Sequence, residues 1–258
     1  MSSFDWLRSQ VQPVGPFSPS YNDVCRVRAI LKRLRLPTEL VLEILEHAQY
    51  WPTREFKSDP SHPIVATARN GRPSAATLCL DAGVFNNPIV NPIRASGERY
   101  KIKDIMFDIV SHDQGWTSEG TQGSFSTSSW LEVSILRNET NSSTRLPGPR
   151  LVNEWISSPQ DFHRNMVGRG WFLAQRPAQA LQGPQDGEGD FAWYLQGNRV
   201  VDRETYRVIW SENESEGNMG AGSGEGFLQE VKEGDRIIVW ARAKVCAFDL
   251  ILLCLQRA

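Results

Sequence analysis

Six consecutive residues, Ser111-His112-Asp113-Gln114-Gly115-Trp116, set a hydroxyl, an imidazole, a carboxylate, a carboxamide and an indole side by side. Adjacency alone does not make His112 and Asp113 a catalytic relay, because neighbouring side chains on a strand point to opposite faces. No GxSxG elbow supplies a nucleophile. His47, His62 and His163 show no HxH or HExxH spacing, so neither a metal site nor a cofactor is expected. The cluster is expected first to bond a strand end to its loop while Trp116 packs beneath; the alternative is ligand contact, since polar groups and aromatics at the loop end of a sandwich suit a sugar or a peptide.

Two further stretches carry candidate contacts. Trp193 and Leu195 alternate inward on a predicted strand, leaving Gln196, Asn198 and Arg199 at its polar end. Arg199 suits a bidentate carboxylate clamp or a structural ion pair. Trp130 and Glu132 share one strand face, which predicts either a concave binding face or a partly wet sheet. The run Gly220-Ala221-Gly222-Ser223-Gly224-Glu225-Gly226 lacks the flanking strand, helix and lysine of a phosphate loop, and Glu212, Glu214, Glu216 and Glu225 would repel phosphate. It is expected to be a flexible acidic loop.

The elements that must hold these residues change character along the chain. Residues 1–20 are rich in Ser and Pro and predict a disordered leader. Over 21–53 the periodicity predicts a helical hairpin: Val24, Val27, Ile30, Leu31 and Leu34 share one face after an Asn22 N-cap, and Leu40, Val41, Ile44, Leu45 and Ala48 form a second stripe. The basic residues Arg26, Arg28, Lys32, Arg33 and Arg35 read as a solvated face. After a polar linker over Arg54–Pro63, short apolar runs alternate with turns. Strands are predicted at Ala75–Leu80, Tyr100–Val110, Ser129–Leu136, Trp171–Gln175, Ala192–Gln196, Glu204–Trp210 and Arg236–Ala243. In the strand over Lys101–Val110, Ile105, Phe107 and Ile109 share a face. That pattern indicates a mainly β protein, a jelly-roll-like antiparallel β-sandwich over 64–244.

Composition narrows the function classes. A net charge of -2 lacks the positive field of a nucleic-acid or membrane-surface binder. Nine tryptophans point to packed β cores and binding surfaces. With no secretory signal and no transmembrane helix, a cytoplasmic or nuclear, non-secreted protein with reduced cysteines is expected.

Two resemblances add to this. Leu36-Pro37-Thr38-Glu39-Leu40-Val41-Leu42-Glu43-Ile44-Leu45 resembles the opening of an F-box, which implies docking onto a ubiquitin-ligase adaptor; the later half of an F-box is not evident. The runs Ser111–Trp116, Ser128–Glu132, Trp193–Arg199 and Val231–Arg242 together resemble an uncharacterised fungal family that sets such a sandwich beside ankyrin repeats or an F-box-like helix pair. The sandwich is similar to galactose-binding-like (discoidin-type) jelly rolls. That likeness implies a fold and no established activity. The chain departs from it over 245–258, where Val245-Cys246-Ala247-Phe248-Asp249-Leu250-Ile251-Leu252-Leu253-Cys254-Leu255 is nearly all apolar. Either a buried strand or an exposed tail from an imperfect gene model fits, and the tail is the expectation.

The function expected is an intracellular binding or adaptor module, recognising a protein or glycan through the sandwich loops. The alternatives are an enzyme of fungal secondary metabolism, of cyclase or isomerase type with a pocket that no motif marks, and an F-box-like substrate receptor.

Overall fold

The structure is a computed structural model. It describes residues 18–59, 63–68, 74–85, 101–113, 124–125, 129–139, 156–180, 190–199, 204–212, 214–244 and 246–257, the last as backbone only. The chain divides into two compact units, Met1–Thr53 and Arg54–Ala258.

In the first unit, α1 (Tyr21–Arg33) starts at a capping box. The Ser20 hydroxyl accepts from the Asp23 N–H at 3.2 Å, while the Asp23 carboxylate takes the Ser20 N–H at 2.9 Å. That reciprocal pair moves the cap two residues upstream of Asn22, because two orphan donors are satisfied at once. Pro37 then leads into α2 (Thr38–His47), whose Val41 and Leu45 are buried.

The second unit is two facing antiparallel sheets, the sandwich expected from the alternation. The first sheet runs β1 (Thr53–Lys57), β11 (Cys246–Arg257), β4 (Asp104–His112), β8 (Glu204–Ser211), β9 (Ser215–Glu216), with β2 (Ile64–Ala68) also on β11. The second runs β3 (Ala75–Ala82), β10 (Arg236–Ala243), β5 (Ser129–Asn138), β6 (Trp171–Leu173), with β7 (Trp193–Gly197) also on β5. Alternate side chains meet between them. Ile105, Phe107 and Ile109 of β4 and Val208 and Trp210 of β8 join one core with Leu131, Val133 and Ile135 of β5 and Ile237 and Val239 of β10.

The second sheet is buried on its other face too. Helix α3 (Pro159–Val167), which follows a Ser158 cap and was not foreseen, lays Phe162 and Met166 on Leu136, Ile238 and Trp240. The Phe162 and Trp240 rings meet edge to face with centroids 5.0 Å apart. β5 is buried from Ser129 to Leu136: α3 covers Leu136 at one end, and Arg242 of β10 lies against Trp130 and Glu132 toward the other.

Further expectations are corrected. The run over 245–258 does not hang outside the sandwich: β11 lies inside the first sheet, paired with β4 from Asp249↔His112 to Arg257↔Asp104 and with β2 from Cys246↔Ala68 to Leu250↔Ile64. A strand paired on both edges satisfies its backbone groups internally. The linker expected over Arg54–Pro63 contains most of β1.

The glycine-rich run is packed rather than loose. Trp193 Nε1 donates to the Glu225 carbonyl at 2.9 Å and Trp210 Nε1 to the Gly222 carbonyl at 2.7 Å. A Cβ at Gly222 would collide with the Tyr194 carbonyl, and one at Gly224 (φ 64°) with the Trp210 ring. Gly222 and Gly224 are there because the Tyr194 backbone and the Trp210 ring leave no room for a Cβ, and Gly224 also takes a left-handed φ.

Candidate functional site

Antiparallel order brings the end of β4, the start of β5, the end of β7 and the start of β8 to one end of the sandwich. In the first sheet Ser111 is registered with Glu204, and in the second Trp130 with Gly197. Asn198, just past β7, ties the sheets together there. Ser111 Oγ donates to Asn198 Oδ1 at 2.6 Å. Asn198 Nδ2 donates to Ser129 Oγ at 3.1 Å, and Ser129 Oγ donates in turn to Asp113 Oδ2 at 2.7 Å. The Asn198 N–H also reaches the Ser129 carbonyl at 3.1 Å. Asn198 is fully buried and both serines nearly so, so this chain of bonds acts as an internal clamp.

A second group sits beside it. Arg199 Nη1 bonds Glu204 Oε1 at 3.2 Å, and the Arg199 N–H bonds the Tyr206 hydroxyl at 3.3 Å. Tyr206 donates to Glu204 Oε2 at 2.9 Å. Burial first, and Glu204 next, push the Tyr206 phenol up, so it stays a neutral donor. The Arg199 guanidinium lies 5.3 Å from the centroid of the Phe125 ring, which also contacts Tyr206 edge on. Phe125 is backed by Gly220, where a Cβ would strike the ring.

The outcome is graded by depth. Ser111, Ser129, Asn198 and Tyr206 are buried, whereas His112, Asp113, Phe125, Arg199 and Glu204 are half-buried around them. Neither serine is aimed at an imidazole, since Ser111 donates to Asn198 and Ser129 to Asp113. The arrangement sets two carboxylates, a guanidinium, an imidazole and an aromatic ring around the clamp, groups able to donate and accept hydrogen bonds and to stack.

The ten residues singled out from sequence separate accordingly. His112, Asp113, Asn198 and Arg199 come together at this rim. Gln196 is close in sequence but buried, and its amide pairs reciprocally with Asn218 at 3.1 Å in each direction. Trp193 belongs to the core, edge to face with Phe227. Trp130 and Glu132 are neither a binding face nor a wet one. They lie on the other face of the second sheet, where Trp130 Nε1 bonds Glu132 Oε1 at 2.9 Å and Glu132 pairs with Arg242. The Arg242 guanidinium also stands 5.1 Å from the Trp130 ring centroid. Gln114 and Trp116 lie outside the described residues. Among those not foreseen, Glu204 and Tyr206 carried a signal, an acid and a phenol two apart on one strand face. Phe125 carried none.

Among the described residues no group of three or more His, Cys, Asp and Glu side chains is placed to hold a metal ion. No helix among them is long and apolar enough to cross a membrane. Cys25 and Cys79 are free thiols, and burial pushes that of Cys79 up.

No family model matches the chain, and no curated protein matches it. The F-box resemblance therefore rests on Leu36–Leu45 alone. Among solved structures the chain is similar to a tyrosine-to-phenylalanine mutant of the Emp46p carbohydrate recognition domain, at 10% identity and a TM-score of 0.31, over 82% of this chain and 89% of that one. That overlap is loose, and the sandwich stands on its own strand pairing.

Proposed function

We propose that the protein is a binding module that takes a glycan or a protein ligand at the rim formed by His112, Asp113, Phe125, Arg199 and Glu204. The observation that carries this reading is the depth grading: a buried clamp from both sheets holds half-exposed donors, acceptors and a ring in fixed positions. Preorganised polar groups around an aromatic face gain affinity because little freedom is lost on binding. The enzyme alternative calls for a deep, closed pocket with His112, Asp113 or Arg199 inside; here these three are half-exposed near strand ends, and Arg199 is paired with Glu204.

Glycan and peptide arrays probed with the folded chain test the proposal. A hit should weaken at least tenfold, about 1.4 kcal/mol, in Arg199→Ala and in Phe125→Ala. Arg207→Ala, which removes an exposed ion pair with Asp108, should leave it unchanged. A blank on both arrays from well-folded protein, or hits indifferent to the two rim changes, would count against it.

A further inference from the structure

The helical hairpin holds a feature that the sandwich rim does not use. Ile30 and Leu34 at the end of α1 are 57% and 67% exposed, and Leu40 and Ile44 on α2 are 45% and 42% exposed. Each pair is spaced i, i+4, so each makes an apolar ridge one turn long. No residue of α1 is buried. Ridges of this kind normally pack against another helix.

The charges beside the ridges have opposite signs. Arg26 and Arg33 stand four and three positions from Ile30, with Lys32 and Arg35 nearby; the acidic residue of α1, Asp23, is engaged in the cap. Glu43 stands three positions from Leu40, with Glu39 and Glu46 on the same helix. Lys32, Arg33, Arg35, Glu39 and Glu43 make no ion pair among the described residues.

We propose that the hairpin is a self-docking surface, on which α1 of one chain seats against α2 of a second copy about a twofold axis. In a twofold contact each surface is used twice, so the basic ridge of each copy meets the acidic ridge of the other. The charges of both ridges meet their opposites and both apolar ridges are covered. A purely acidic partner would answer α1 and leave the α2 glutamates facing like charge. A second copy is the occupant that satisfies both helices at once.

The test is sedimentation velocity on the full chain at tens of micromolar, with circular dichroism confirming that each variant keeps its helices. The wild type should sediment as a dimer at about 50 mM salt and weaken at about 500 mM. Reversing one ridge (Arg26→Glu with Arg33→Glu) should weaken self-association at least tenfold, and so should reversing the other (Glu39→Lys with Glu43→Lys). An equimolar mixture of the two reversed chains should restore the dimer, because each ridge again meets its opposite. Leu34→Asp should abolish association without any change of charge pattern on α2. A monomeric wild type, a dimer that survives both reversals, or a mixture that stays monomeric overturns the proposal.

Discussion

Asn198→Ala is the most informative single change, because that side chain is the fully buried link between the two sheets at the rim. The backbone bond from its N–H to the Ser129 carbonyl survives the substitution. The Ser111 hydroxyl loses its acceptor while almost wholly shielded from water, a cost of about 1–3 kcal/mol. Ser129 keeps its bond to Asp113 and loses only an incoming donor, about 0.5–1.5 kcal/mol. The expected loss is therefore about 2–4 kcal/mol, a large share of the roughly 5–15 kcal/mol that holds a domain together. Urea unfolding followed by tryptophan fluorescence should show the midpoint falling by about 1 M. Ser111→Ala combined with Asn198→Ala should cost less than the two singles together, by about 1 kcal/mol, because each removes the same bond. A loss in Asn198→Ala below about 0.5 kcal/mol, or strict additivity with Ser111→Ala, would show that the clamp does not hold the sheets.

Two further outcomes follow from other parts of the sandwich. Arg242→Met strands the Glu132 carboxylate in a dry layer and should cost about 3–5 kcal/mol in denaturant unfolding, whereas Glu132→Leu with Arg242→Met should recover most of it. A single change as harmless as the double would refute the pairing. His163 accepts the Leu173 N–H at Nδ1 (3.1 Å) and stacks on Phe191, and burial holds its pKa below the usual 6.5. The folded state thus binds fewer protons there than the unfolded chain. That contribution is complete above the unfolded pKa of 6.5 and is lost as pH falls from there through the lower folded value. Denaturant midpoints taken across this window should drop more steeply for the wild type than for His163→Gln, and parallel profiles would refute the argument.

Much of the fold was legible because period-2 alternation survives wherever one face of a strand meets a core. Ile105, Phe107 and Ile109 announced the inner face of β4, and Trp193 and Leu195 that of β7. Alternation does not reveal strands whose surroundings come from elsewhere in the chain. β5 is buried along its length, so Trp130 and Glu132 read as a mixed surface until Arg242 of the neighbouring strand β10 is set against both. β11 read as a tail because an apolar run says nothing about which strands will flank it. The glycine run looked flexible for a related reason: composition does not reveal that two indoles require its carbonyls. At the rim, the polar residues were visible as a pattern break after β4 and β7, but Phe125 and Tyr206 joined them only in space.

By itself the sequence determined which segments alternate, where polar clusters interrupt them, and that one short stretch is helical and amphipathic, since these depend on local geometry and on residues a few positions apart. Only the tertiary structure decided that Ser111, Ser129 and Asn198 share one buried set of hydrogen bonds, and that Glu132 faces Arg242 rather than solvent. Those pairings join residues 69 to 110 positions apart. Strand order brings them together, and no local periodicity encodes strand order.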